Sequence, residues 1–121
     1  MPNTPTLVWS EVPVSDLDRA VKFYNTVFGW KMEIDSSGHE PMAFFGGEPD
    51  GGGHLYSGVP GDGNGPTVHI AIPDRLEDAV QRAWEAGGTV RGLPVKIPPG
   101  RFAYVQDPDG NPIGLFEPAA A

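Results

Sequence analysis

The chain of 121 residues contains no cysteine. That excludes disulfide stapling, thiol catalysis and cysteine-based zinc sites. Positive charge is scarce: eight Lys and Arg stand against sixteen Asp and Glu, for a net charge of −8. An acidic surface argues against nucleic acid or an anionic membrane as partner, and its plainest consequence is solubility. No apolar run approaches the roughly 20 residues that span a bilayer. Residues 1–6 lack a basic stretch followed by an apolar one, so no signal peptide is expected. With no cysteine as well, a cytoplasmic location is the expectation. Glycine (17) and proline (14) are abundant, which in a chain poor in aromatics would signal disorder. Three Trp, six Phe and regular apolar patterns indicate many turns between short strands instead. The length suits one compact domain, or two small modules sharing a core.

One pattern occurs twice. In Leu7–Val14, Val8, Val12 and Val14 share one parity with Ser10, while Trp9, Glu11 and Pro13 share the other. Period two means a strand with two faces. Ser15 then offers a helix N-cap, and Asp16 and Asp18 place anions in the first turn. Leu17, Val21, Tyr24 and Phe28 recur at helical spacing before Gly29 ends the helix. Trp30–Ile34 alternates again and predicts a strand. In the second half, Thr67–Ile72 predicts a strand with Val68, Ile70 and Ile72 on one face. Pro73-Asp74 opens a helix through Leu76, Val80 and Ala83, which Gly87-Gly88 stops. Superposing the halves aligns Val14 with Ile72, Ala20-Val21 with Ala79-Val80 after one inserted residue, and Gly29 with Gly88. Such a repeat is stronger evidence than either half alone. Three further strand segments follow each helix: Trp30–Ile34, Met42–Phe45 and about Gly53–Tyr56, then Thr89–Val95, Phe102–Gln106 and Ile113–Phe116. The predicted organisation is a module over 7–58, a Gly- and Pro-rich linker over 59–65, and a module over 66–118.

Asp107-Pro108-Asp109-Gly110-Asn111 predicts a tight reversal between the last two strands, with Pro108 fixing φ and Gly110 supplying positive φ. This hairpin resembles the closing hairpin of the vicinal oxygen chelate superfamily, which includes glyoxalase I, extradiol dioxygenases and the bleomycin and fosfomycin resistance proteins. Val14-Ser15-Asp16-Leu17-Asp18-Arg19-Ala20-Val21-Lys22-Phe23-Tyr24 followed by Phe28-Gly29-Trp30 resembles that family's opening. The resemblance covers about residues 7–118. It implies an α+β fold of two tandem βαβββ modules, whose curved mixed sheet has helices outside and an open trough inside. Val8, Val12, Val14, Val68, Ile70 and Ile72 are then expected on the helix side. Trp9, Glu11, Thr67, His69 and Ala71 are expected to face the trough.

In the superfamily's metal enzymes the first and last strands of each module carry His, Gln or Glu ligands, and the ion stabilises an enolate or activates oxygen. Carried onto this chain, those positions fall on Trp9, Thr67 and Gly114, with the fourth between Gly52 and His54. Trp and Gly supply no ligand and Thr a weak one, so no cofactor is expected. A two-residue slide of the second module would leave face parity intact. It would offer a displaced divalent-metal site from His69, His54 and Glu11, with Glu117 added only if the last strand is bulged. Glu11 and His69 occupy equivalent positions in the repeat. As a carboxylate beside an imidazole they are candidate catalytic groups, with a structural hydrogen bond the competing reading. Trp9, Glu11, Thr67, His69, Tyr104 and Phe116 are the candidate ligand-binding residues, Phe44 or Phe45 being further aromatics in reach. The aromatic walls suit a flat, apolar or cationic molecule. Arg101 is placed at a trough-edge loop able to meet an anion. The Gly-rich stretches around Gly46 and Gly51 lack the helix and Lys-Ser/Thr of a phosphate loop. The expectation is a homodimeric protein binding a small molecule without the metal. The alternatives are a metal-dependent lyase, isomerase or dioxygenase, and a non-catalytic sensor domain.

Overall fold

The computed structural model describes residues 9–61 and 66–119. The predicted positions of Leu7 and Val8, and the centre of the predicted linker at 62–65, lie outside the described residues. In chain order the elements are β1 (Ser10–Val14), α1 (Leu17–Phe28), β2 (Met42–Phe44), a 3-10 turn (Phe45–Gly47), β3 (Gly53–Ser57), β4 (Val68–Ala71), α2 (Leu76–Glu85), β5 (Thr89–Val90), β6 (Val95–Ile97), β7 (Gly100–Gln106) and β8 (Pro112–Pro118). They form two mixed sheets. One has the order β1-β3-β2, and the other β4-β8-β7-β5, with β6 also on β7. In each sheet the strand before the helix pairs in parallel with the last strand of its half, and that strand pairs antiparallel with its neighbour.

Both helices bury the stripe their spacing predicts. Leu17, Ala20, Phe23, Tyr24, Val27 and Phe28 of α1 and Leu76, Ala79 and Ala83 of α2 are buried. They join Val12, Val14, Leu55, Ala103, Val105, Ile113 and Leu115 from the two sheets in one hydrophobic core. Val68 and Ile70 are half-buried against it and Ile72 is buried. The helix-facing parity assigned to these strands therefore holds, and the opposite parity looks away from the core. Gly29, at φ 71°, ends α1 in the left-handed region, its N–H donating to Asn25 C=O at 2.9 Å.

Several boundaries differ from the sequence expectation, each for a visible reason. Trp30–Ile34 is not a strand; only an isolated bridge from Asp35 to Met42 follows it. Its ladder groups are taken by a side chain. Asn25 Oδ1 accepts from Met32 N–H at 2.8 Å, and Asn25 Nδ2 donates to Met32 C=O at 3.2 Å. The cap of α1 is Asp16, whose carboxylate accepts from Arg19 N–H at 3.1 Å. Ser15 is drawn instead to Asp109, which accepts from its N–H at 3.1 Å and also from its hydroxyl. α2 starts at Leu76 rather than Pro73, because its cap arrives from elsewhere. Glu117 Oε1 accepts from Leu76 N–H at 3.1 Å. The predicted strand Thr89–Val95 is two short strands, β5 and β6.

The Asp107–Asn111 reversal forms as predicted, with Gly110 at φ 86° and Gly110 N–H donating to Asp107 C=O at 2.9 Å. It also ties the halves together. Buried Tyr24 of α1 donates its hydroxyl to Asp107 at 2.9 Å, Arg19 pairs with Asp109 at 2.8 Å, and Asn111 Nδ2 donates to Pro13 C=O at 2.8 Å. From α2, Arg82 donates to Val27 C=O at the end of α1.

Candidate functional site

Strand register decides which side chains share a face, since Cα partners point the same way across a sheet. In the first sheet Glu11 lies opposite His54, which lies opposite Phe44; the next row is Pro13, Tyr56 and Met42. In the second sheet His69 lies opposite Gly114, which lies opposite Tyr104; the next row is Ala71, Phe116 and Phe102. The internal repeat superposes Glu11 on His69. It follows that His54 corresponds to Gly114, and Phe44 to Tyr104. The poorly anchored fourth position of the sequence reading thus resolves to His54.

The first face is an aromatic nest around a histidine. Trp9 Nε1 donates to His54 Nδ1 at 3.1 Å. As an acceptor that nitrogen carries no proton, which puts the ring proton on Nε2. His54 Nε2 stands 3.8 Å from Glu11 Oε1. Ring centroids of Trp9, Phe44 and Tyr56 lie 5.7, 6.4 and 6.0 Å from that of His54. His54 is buried beneath this cover, while Trp9 remains 40% exposed and the Glu11 side chain 65% exposed. Glu11 is therefore brought together with His54 of its own sheet, not with His69 as the sequence reading expected. Parity placed both on the trough-facing side, away from the helices, but only the register shows which strands neighbour each other.

The second face is built on a missing side chain. A Cβ at Gly114 would lie 2.3 Å from His69 Nδ1 and 2.5 Å from its Cε1. Such an approach is far inside van der Waals contact, so the His69 ring occupies the space a side chain at position 114 would need. The ring packs edge-on to Phe102 and Tyr104, centroids at 5.1 and 5.8 Å. Tyr104 is 44% exposed and Phe116 half-buried, whereas Thr67, just before β4, is half-buried with no hydrogen bond among the described residues. Phe102 was missed by the sequence reading, although its period-two relation to Tyr104 was available.

These residues do not fit the superfamily's divalent metal. Of the carried-over positions, Trp9 spends its indole N–H on His54, Thr67 is a weak neutral donor, Gly114 has no donor, and His54 is a single imidazole under an aromatic lid with Glu11 the one carboxylate beside it among the described residues. Among the described residues no group of three or more His, Asp or Glu could hold an ion together, so the displaced set of His69, His54 and Glu11 is not assembled. Glu117 is not a candidate either. The last strand runs without a bulge, and its carboxylate caps α2 and pairs with Arg101 at 2.7 Å. Arg101 itself is corrected from a trough-edge loop to β7, where Glu77 and Glu117 occupy its guanidinium. His39 is exposed in the loop after Asp35.

The order of helix and strands, the two parallel closures and the repeat all match one known architecture, and the family model for the Glyoxalase/Bleomycin resistance protein/Dioxygenase superfamily matches residues 6–115. The chain belongs to this superfamily. A lactoylglutathione lyase of Salmonella typhimurium is 32% identical over 123 residues, covering 92% of this chain and 91% of that protein. The glyoxylase-like CFP32 protein of Mycobacterium tuberculosis is 35% identical over 120 residues, covering 96% of this chain and 45% of that protein. The chain thus spans about half the length of that relative. TnmS3, an antibiotic binding protein from a Streptomyces species, superposes with a TM-score of 0.67 at 27% identity, covering 98% of this chain and all of that one. A glyoxalase/bleomycin resistance protein from Albidiferax ferrireducens gives a TM-score of 0.70 at 22% identity, with 93% and 98% covered. The fold is the α+β glyoxalase/bleomycin-resistance fold.

Proposed function

We propose that this superfamily member binds a small, partly aromatic or apolar molecule on its outward sheet faces without the divalent metal of the superfamily's metal enzymes. The observation that carries the reading is position 114. A ligand-bearing side chain there is incompatible with the His69 ring, and the equivalent His54 is engaged by Trp9. What remains is chemistry of recognition. Trp9, Phe44 and Tyr104 offer ring faces and edges for stacking. Glu11, His69 and Thr67 offer polar atoms that orient a guest. The exposed Glu11 carboxylate beside Trp9 favours a guest with a cationic or hydrogen-bond-donating group. The two faces belong to separate sheets, so a homodimer in which a second copy covers them would enclose the guest. The likeness to TnmS3 supports a drug-like guest, and the net charge of −8 is compatible with free solubility. The test is titration of Trp9 fluorescence with planar aromatic metabolites and drugs in the presence of a chelator. Saturable quenching that is lost in Trp9→Ala supports the reading. Binding that requires an added divalent ion contradicts it.

A second reading has one specific observation in its favour. Trp9 fixes the His54 ring with its Nε2 proton toward Glu11, the arrangement of an oriented acid–base pair. In that reading the protein is a lyase or isomerase that moves a proton, and Glu11 and His54, rather than Glu11 and His69, are its catalytic groups. His54→Gln would then abolish turnover while leaving guest binding in place.

A further inference from the structure

A strand at the edge of a sheet carries backbone groups that no neighbouring strand satisfies. In β1 these groups are identifiable. Ser10 N–H donates to Gly52 C=O at 2.9 Å, and Val14 C=O accepts from Gly58 N–H at 3.0 Å. In a parallel ladder alternate residues turn both backbone groups toward the partner strand. Ser10, Val12 and Val14 therefore address β3, while Glu11, Pro13 and Ser15 address the open side. Proline has no N–H, so within β1 that open row offers Glu11 N–H, Glu11 C=O and Pro13 C=O, with Ser15 N–H just beyond the strand. Side chains of the Asp107–Asn111 turn take the last two. Asn111 Nδ2 donates to Pro13 C=O at 2.8 Å, and Asp109 accepts from Ser15 N–H at 3.1 Å. Among the described residues nothing takes the Glu11 pair.

Beside that pair the chain leaves a cavity of about 360 Å³. Ser10, Glu11, Val12 and Pro13 all line it. Successive residues point to opposite faces, so a space that touches all of them runs along the strand's edge. Across from them Val68, Ile70 and Ile113 form an apolar wall. The volume is that of a small-molecule site.

We infer that this cavity binds a peptide-like amide. The occupant is one acylated amino-acid unit whose N–H donates to Glu11 C=O, whose C=O accepts from Glu11 N–H, and whose apolar side chain lies against Val68, Ile70 and Ile113. Exchange of both hydrogen bonds between two facing residues is the narrow pair of an antiparallel ladder, and the mode is strand addition at its shortest. The apolar wall rejects a charged side chain, which would lose its hydration without a partner. This site lies on the strand edge, apart from the aromatic faces, and does not depend on what they bind.

The experiment uses the full chain labelled with nitrogen-15 and the probe N-acetyl-leucine methylamide. Glu11 N–H is expected to exchange freely with solvent in the protein alone, and to shift and exchange more slowly with saturating probe. A probe N-methylated at leucine, which has lost the donor, is expected to bind about fivefold more weakly or worse, the worth of one net hydrogen bond. Glu11→Pro removes the protein's donor at an edge position that tolerates proline, and is expected to weaken the probe similarly. Glu11→Ala keeps the N–H and is expected to bind normally, which separates this site from any use of the carboxylate on the outward face. If Glu11→Pro loses its fold, the two probes on the unaltered chain decide. Protection of Glu11 N–H before any probe is added overturns the inference. If that protection grows with protein concentration, it assigns the edge to a second copy. Equal binding of the methylated probe, or no shift at Glu11 up to millimolar probe, also overturns it.

Discussion

Gly114 is where a single residue most constrains the chemistry. Because a Cβ there would meet the His69 ring at 2.3 Å, Gly114→Ala forces the imidazole out of its packing with Phe102 and Tyr104. Overpacking of this kind costs about 1–3 kcal/mol. Urea denaturation is expected to show that loss, and His69→Ala in the same chain is expected to recover most of it. Equal destabilisation with and without His69 would mean the ring is not what fills the position. At the opposite face Trp9→Ala is expected to weaken a stacked guest by about 1–3 kcal/mol, on the scale of aromatic stacking against bases. A fluorescence-independent method such as calorimetry checks this, since the substitution removes the reporter. The residues of these faces were legible in the sequence because period two fixes parity: Trp9, Glu11, His69, Tyr104 and Phe116 all lie on the predicted side. Their partners were not legible. Parity says which face a side chain takes, whereas register, set by the length and shape of loops, says whom it meets. Hence Glu11 was paired in expectation with His69, and the structure gives it His54.

At the scale of elements, side chains of one half hold the ends of elements in the other. The α1 helix is locked to the β7–β8 turn through Tyr24 and Asp107. Burial, then the adjacent Asp107 carboxylate, pushes the Tyr24 hydroxyl well above its ordinary 10.0. Burial likewise raises the Asp107 carboxyl above its ordinary value despite hydrogen bonds from Asn111, Tyr24 and the Asp109 N–H. A carboxyl whose pKa rises on folding gives its full contribution at low pH and loses stability as pH climbs through the folded value. The hydrogen bonds make its ionised form tolerable at neutral pH. Tyr24→Phe removes one of them from a buried anion and is expected to cost about 1–3 kcal/mol, measured as a lower denaturation midpoint. A neutral result would show that the Asp107 carboxylate is satisfied without Tyr24.

The α2 helix gives the opposite sign. Hydrogen bonds from Arg101 hold the Glu77 carboxyl at about 2, against 4.5 ordinarily. A carboxyl depressed on folding contributes above its ordinary value, and that contribution drains away as pH falls from 4.5 toward about 2. Stability measured across that acid window is expected to fall less steeply in Glu77→Gln than in the unaltered chain. The difference is expected to shrink in high salt, because the pair is exposed. These same ties explain which boundaries could be read from sequence. Helix spacing and the Asp107–Asn111 turn are local signals, and they were right. Trp30–Ile34 alternates like a strand, but the deciding partner is Asn25 on the preceding helix. The start of α2 depends on Glu117, which lies 41 residues away. The second lies outside any local window, and the first, only seven residues away, is a side-chain tie that an alternation pattern does not register.

For the whole molecule, the repeat carried the fold. Two weak half-patterns that agree with each other are strong evidence, and the resemblance drawn from the opening helix and closing hairpin named the superfamily to which the chain belongs. What the fold implies about function is less direct, because the same scaffold serves enzymes and binding proteins alike. The donor set is what distinguishes them in this chain. An indole, a threonine hydroxyl and a glycine stand at the positions the resemblance carries over as ligands, and the glycine's space is taken by an imidazole. The most direct measurement of that claim is metal content by elemental mass spectrometry, on untagged protein dialysed after incubation with manganese, iron, nickel and zinc. The account predicts that no ion is retained in stoichiometric amount. About one ion per chain, lost again in His54→Ala or His69→Ala, would contradict it and return the protein to the metal-dependent chemistry of its superfamily.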